Sequence, residues 1–103
     1  MATPDFVIRQ ISNSETRQSM YFTYVLYSLK NGDLYIGSTE NVEKRIVLHN
    51  KGRVRSTKPY RPWKLLEYRK FETRSEAMQI ERLLKSHQQK EILRKKYGLV
   101  AKW

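Results

Sequence analysis

The chain predicts an α+β domain with the element order β-β-α-β-α-α, and three features carry that prediction. Tyr21 to Leu29 is rich in aromatic and β-branched residues and leads through Asn31-Gly32 into a second short run, Leu34 to Gly37. Such a pattern reads as two strands joined by a tight reversal. Further on, Thr73-Arg74-Ser75-Glu76 forms a capping box ahead of an apolar stripe at Ala77, Ile80 and Leu84, the spacing of an amphipathic helix. Strands gathered early and helices late in one short chain indicate segregated elements rather than a parallel sheet.

Each element has its own signal. Residues 1–20 are polar around Ser12-Asn13-Ser14 and are expected to be a flexible arm, with Phe6-Val7-Ile8 the one stretch able to form an extra strand. The ordered domain is expected over 21–103. After the hairpin, Thr39 or Asn41 can cap a helix running to about Asn50, with Gly52 placed to end it. Val42 and Ile46 mark its buried side, and Arg45 and His49 fall one turn apart beside them. Lys51 to Pro62 is a basic loop closed by Pro59-Tyr60-Arg61-Pro62. Trp63 to Phe71 alternates as a third strand. The capping box opens a helix to about Ser86, and Gln88 to Tyr97 reads as a last helix stopped by Gly98.

With 103 residues, the chain has room for one domain with a modest core. It has no cysteine, which excludes disulfides and thiolate zinc sites. His49 and His87 lack metal-site spacing. No apolar run approaches the roughly 20 residues of a membrane span, and Met1 to Met20 has no signal-peptide core. A soluble cytoplasmic monomer is the expectation. The net charge is +11, and residues 1–20 sum to zero, with Asp5 and Glu15 against Arg9 and Arg17. Between Asn41 and Lys64 eight Lys/Arg face only Glu43. A basic stripe of that density attracts polyanions, nucleic acid above all, by releasing counterions, unless it is merely a solvated face.

Candidate chemistry follows from residue type and place. Glu81 interrupts an apolar helical stripe, and a carboxylate there is costly unless paired or metal-bound. It either forms a salt bridge with one of 21 basic side chains or holds Mg²⁺ with water and substrate phosphate completing the shell. Tyr24 and Tyr35 are packing residues of a hairpin, or phenols that exchange a proton at a phosphodiester. Arg45 is an exposed helix arginine or a grip on a scissile phosphate. His49 could share a proton with that site or cap the helix end. Lys51, Arg53, Arg55, Lys58 and Arg61 are candidates for phosphate contacts that position a strand without reading its sequence. Tyr60 and Trp63 could stack on an unpaired base, or Trp63 could plug the core beneath Pro62. The stretch Lys90 to Lys96 is a further basic face or a solvated helix.

Taken together these residues resemble the GIY-YIG nuclease family. Phe22-Thr23-Tyr24 stands where the family has Gly-Ile-Tyr, and Tyr35-Ile36-Gly37 matches the second half of the name. Lys44-Arg45-Ile46-Val47-Leu48-His49-Asn50, Ser56-Thr57-Lys58, Arg61-Pro62-Trp63-Lys64-Leu65 and Ser75-Glu76-Ala77-Met78 are similar to a branch of small single-domain members. That branch is in turn similar to the nuclease domain of the bacterial excision-repair incision subunit. The likeness spans about Tyr21 to Tyr97. It implies a three-stranded antiparallel sheet flanked by helices. It also implies that Tyr24 and Tyr35 are the family tyrosines, Arg45 the phosphate-binding arginine and Glu81 the metal-holding glutamate, with His49 where many members keep a histidine or tyrosine. Gly37 would let the backbone approach the site closely. Some members add an asparagine after the glutamate helix, and Ser86 to Tyr97 contains none.

The resulting expectation is a Mg²⁺-dependent (or Mn²⁺-dependent) DNA endonuclease, a hydrolase acting on structured or damaged DNA as in repair. Tyr35 would accept a proton from the attacking water, helped by Tyr24 or His49; which tyrosine is the base is left open. The alternatives are a nucleic-acid-binding module of the same fold without cutting activity, and a small basic protein riding on structured RNA.

Overall fold

The structure is a computed structural model that describes residues 20–99; the expected arm, including Phe6-Val7-Ile8, lies outside the described residues apart from Met20. Three strands, β1 (Tyr21–Ser28), β2 (Leu34–Thr39) and β3 (Trp63–Phe71), alternate with three helices, α1 (Val42–Asn50), α2 (Arg74–Leu84) and α3 (His87–Lys96). A short 3₁₀ turn, Lys58–Tyr60, lies inside the basic loop. The sheet is antiparallel in the order β2-β1-β3. The expected α+β fold and its β-β-α-β-α-α order are what the chain forms.

β1 takes the centre because its middle is buried on both faces, from Thr23 through Leu26. Directly opposed residues of antiparallel strands share a face, so the register sorts the core into two halves. Val25 and Ile36 point to one side, where they meet Leu34, Leu84 and Leu93 under α2 and α3. Tyr24, Leu26 and Trp63 point to the other, with Tyr35, Leu65 and the α1 residues Val42 and Ile46. The sheet is therefore a middle layer between α1 and the α2–α3 pair. A register shift between Val25 and Leu26 in the pairing with β3 leaves Leu66 without a partner opposite it, and it packs in the α2–α3 half while Leu65 packs in the α1 half.

The boundaries differ from expectation where side chains replace the ladder. The Asn31-Gly32 turn is not a two-residue reversal. Ser28 ends the strand, and its amide donates to Asp33 O at 2.8 Å to close a longer loop. Its hydroxyl oxygen accepts the amides of Lys30 and Asn31, both at 3.1 Å, and donates to Tyr60 O at 2.6 Å. Leu29 leaves the sheet, 58% exposed, with its amide on Pro62 O. Likewise α2 stops at Leu84 rather than Ser86, because Ser86 serves as N-cap of α3 and accepts from the Gln89 amide. The capping box at Thr73 and Glu76 forms as expected, and Asn41, not Thr39, caps α1 by accepting from the Lys44 amide at 3.0 Å.

Candidate active site

Tyr24 lies across from Gly37 in the β1–β2 ladder, and the absent side chain at 37 is what lets its phenol lie flat. A Cβ on Gly37 would sit 2.6 Å from the Tyr24 hydroxyl oxygen, 2.8 Å from its Cζ and 3.0 Å from Tyr35 Cε2. The two phenol rings stand 6.2 Å apart, tilted by 40°. Into the space above them α1 lowers His49, fully buried, with its ring edge-on to Tyr35 at 4.9 Å and to Tyr24 at 5.8 Å. The Tyr24 hydroxyl and His49 Nε2 are 2.9 Å apart. On the far side of the imidazole, Nδ1 lies 2.8 Å from Thr57 Oγ1. Tyr35 is half-buried, and its hydroxyl has no hydrogen bond among the described residues.

Burial pushes the Tyr24 phenol up to about 12, against the pull of the nearby Arg45 guanidinium, which favours the charged form. Tyr35 and Glu81 add to the upward shift through charge repulsion. Burial, then the Arg45 charge, drop His49 to about 4. At neutral pH the cluster thus holds a protonated phenol against an uncharged imidazole, beside a fixed cation.

Glu81 arrives from the other side of the sheet. Ser38 is opposed to Thr23 in the ladder, and Thr23 Oγ1 donates to Ala77 O at 2.7 Å, docking α2 there. Ser38 Oγ donates to Glu81 Oε1 at 2.7 Å, and Lys85 Nζ pairs with Oε2 at 2.8 Å. The carboxylate, 19% exposed, is close enough to Tyr24 to act on its ionisation. Of the alternatives for Glu81, the salt bridge is present. A cleft of about 350 Å³ opens here between α1 and α2, lined by Ser38, Lys44, Arg45 and Arg74 among others. No group of three or more metal-binding side chains occurs among the described residues. A divalent ion at Glu81 would therefore need water and phosphate oxygens for most of its shell. That donor set suits hydrated Mg²⁺ or Mn²⁺, and the half-exposed Lys85 ammonium on its long stem can swing away.

The basic loop is firmly held. Arg53 N donates to Leu48 O and Gly52 N to His49 O, a Schellman closure of α1 that needs the positive φ of Gly52, 77°. Asn50 clamps the loop's two ends, its amide exchanging hydrogen bonds with the Trp63 backbone at 2.7 and 3.1 Å. Trp63 is the core plug, not a stacking platform: it is 5% exposed and its indole N–H donates to Thr57 O at 2.9 Å. Lys51, Arg53, Arg55 and Lys58 remain exposed. Arg61 is exposed too but braces the loop, with Nε on Lys58 O at 2.9 Å and its guanidinium over Gly52. The stretch 90–96 is not an open basic face, since Arg94 is buried and Lys96 pairs with Glu67.

Residues 20–97 match the GIY-YIG catalytic domain. The chain belongs to the GIY-YIG family. It is 35% identical over 75 residues to a UPF0213 protein of Staphylococcus saprophyticus, covering 72% of this chain and 90% of that one. A UPF0213 protein of Bacillus licheniformis is 47% identical over 64 residues, 61% of this chain and 64% of that one. One from Listeria monocytogenes is 43% identical over 70 residues, 67% and 78% of the two chains. This is thus a small single-domain GIY-YIG member, in a family of nucleases. No helix among its described residues is long and apolar enough to cross a membrane. In this GIY-YIG domain the cluster also contains Ser38, Thr57 and Lys85, which the sequence does not single out. Ser38 follows the second motif directly and could have been found there. Thr57 lies in the Ser56-Thr57-Lys58 run that carries the resemblance, but its contact with His49 appears only once the loop folds back on α1.

Proposed function

We propose that this GIY-YIG protein is a metal-dependent DNA endonuclease that hydrolyses backbone phosphodiesters, with Tyr24, Tyr35, Arg45, His49 and Glu81 as its catalytic set. The observation that carries the reading is the convergence at Gly37. Two phenols, an uncharged imidazole and a guanidinium gather on one side, and a carboxylate held by Ser38 stands on the other, near enough to act on Tyr24.

A strand entering between α1 and α2 would bring a phosphate onto Arg45, with Lys44 and Arg74 on the same walls. Arg45 is suited to the negative charge that grows on the phosphoryl oxygens. The Tyr24 hydroxyl is the phenol that rests on a base, which favours it over Tyr35 as proton acceptor. As the water oxygen bonds to phosphorus, its proton passes to Tyr24 Oη and the Tyr24 proton passes to His49 Nε2. The P–O bond to the leaving sugar oxygen breaks, and that oxygen takes up a proton as the imidazolium gives its own back. Burial and the Arg45 charge keep His49 uncharged beforehand. A bound phosphodiester offsets that second influence and raises the imidazole's proton affinity when it is needed. The unbonded Tyr35 hydroxyl is free to orient the water. Glu81 would hold Mg²⁺ or Mn²⁺, which when bound polarises the phosphate and eases departure of the leaving oxygen. Lys51, Arg53, Arg55 and Lys58 would position the flanking backbone, with Arg61 stiffening the loop.

The test is nicking of single-stranded, duplex, flapped and branched DNA with Mg²⁺, Mn²⁺ or EDTA. Metal-dependent cleavage is expected for the native protein and not for Glu81→Ala, which should still bind DNA. Binding without cleavage of any substrate, unaltered in Glu81→Ala, would instead identify a binding module, and preference for structured RNA a third role.

A further inference from the structure

The Tyr24–His49 contact continues to Thr57, and the hydrogens can be ordered from that end. Thr57 Oγ1 donates to Val54 O at 3.3 Å, so its proton is committed away from the imidazole and its lone pair faces Nδ1 at 2.8 Å. At the opposite end, the Tyr24 hydroxyl is buried, with the Arg45 charge close enough to act on its ionisation. The phenol proton then needs an acceptor, and among the described residues His49 Nε2, 2.9 Å away, is the one in reach. The Thr57 end thus sets hydrogen on Nδ1 and a lone pair on Nε2, and the Tyr24 hydroxyl, able to donate or accept, follows it. Free imidazole favours the other tautomer, with hydrogen on Nε2, so something must hold this one in place. Thr57 is completely enclosed, at 1% exposure, and its carbonyl is pinned by the Trp63 indole at 2.9 Å.

We infer that Thr57 is a positioning residue that fixes His49 in the Nδ1–H tautomer, leaving Nε2 free to take the Tyr24 proton. The logic is that of a nucleophile, a base and a third group that orients the base, here built as phenol, imidazole and hydroxyl. Its catalytic consequence rests on the nuclease reading above; its hydrogen-bond content does not. The placement also ties chemistry to substrate contact, since Thr57 belongs to the loop that carries Arg53, Arg55 and Lys58.

The experiment is ¹⁵N–¹H correlation through the imidazole rings at neutral pH, alongside steady-state nicking. The chain has two histidines, and the exposed His87 provides an internal reference. The expected spectrum has His49 with hydrogen on Nδ1 and an unprotonated Nε2. In Thr57→Val, close in shape but without the hydroxyl, the hydrogen should move to Nε2, and kcat should fall on the order of 10²-fold with KM little changed. Thr57→Ser should restore both tautomer and rate. A native His49 with hydrogen on Nε2 would overturn the inference whether or not Thr57→Val folds, as would an unshifted tautomer in folded Thr57→Val. Absence of cleavage by the native protein, with the Nδ1–H tautomer observed, would overturn the nuclease reading while still supporting the assignment of Thr57.

Discussion

A methyl group at position 37 would meet the Tyr24 phenol at 2.6–2.8 Å and the Tyr35 ring at 3.0 Å, and the Tyr24 ring cannot yield. Tyr24 is held by His49 beyond it and fully enclosed. Gly37→Ala should therefore displace the phenol and lower stability by about 1–3 kcal/mol, the usual cost of overpacking a close-packed site. Its urea midpoint should drop accordingly; an unmoved midpoint would mean the ring has room that the geometry denies. The two tyrosines, Arg45, His49 and Glu81 were legible as single residues because each is chemically conspicuous where it stands. Their partners were not. Ser38 and Thr57 are ordinary hydroxyl residues whose importance comes from what lies opposite them in space.

Between residues and fold, the loop from Lys51 to Pro62 is the informative element. It is clamped by Asn50 at its two ends and by Thr57 and Trp63 in its middle, so its cations are presented on a stiff frame. Arg53, Arg55 and Lys58 replaced together by alanine should weaken DNA binding and flatten the plot of log K against log salt by up to about 2.7, near 0.9 for each phosphate no longer neutralised. A slope equal to the native one would remove this loop from the interface. The sequence marked the loop by its charge and bracketed it with Gly52 and Pro62. It did not reveal the clamp, because an asparagine side chain pairing with a backbone thirteen residues away leaves no local signature. The same reason explains the hairpin, where Ser28 recruits the turn and Tyr60 together.

For the molecule as a whole, acid should unfold the protein in two stages. Folding lowers His49 from 6.5 to about 4, so between those values the unfolded chain holds the extra proton. This stability is complete above pH 6.5 and is lost as pH falls toward 4, on the order of 3 kcal/mol in all. Glu67 adds a lower window. Burial alone would raise its carboxyl, but the Tyr97 hydroxyl and the Lys96 ammonium outweigh burial and leave it below its ordinary value of 4.5. Its contribution is present above that value and fades as pH drops through the lowered one, loosening α3 from β3. Urea midpoints measured from about pH 8 down to pH 3 should decline through both windows. A midpoint level from about pH 7 to pH 5 would contradict the buried neutral imidazole.

The linear chain was enough to establish the architecture and the family and to nominate a cast of candidate side chains, because periodicity, capping residues and short motifs act over a few positions. Folding in three dimensions decided how that cast is arranged. Glu81 approaches from the α2 face, where Lys85 and Ser38 hold its two oxygens, and a loop threonine sits on the back of His49. Those relations depend on how a sheet between two helical layers brings distant segments within about 3 Å, the range at which hydrogen bonds form, and no stretch of sequence encodes that distance on its own.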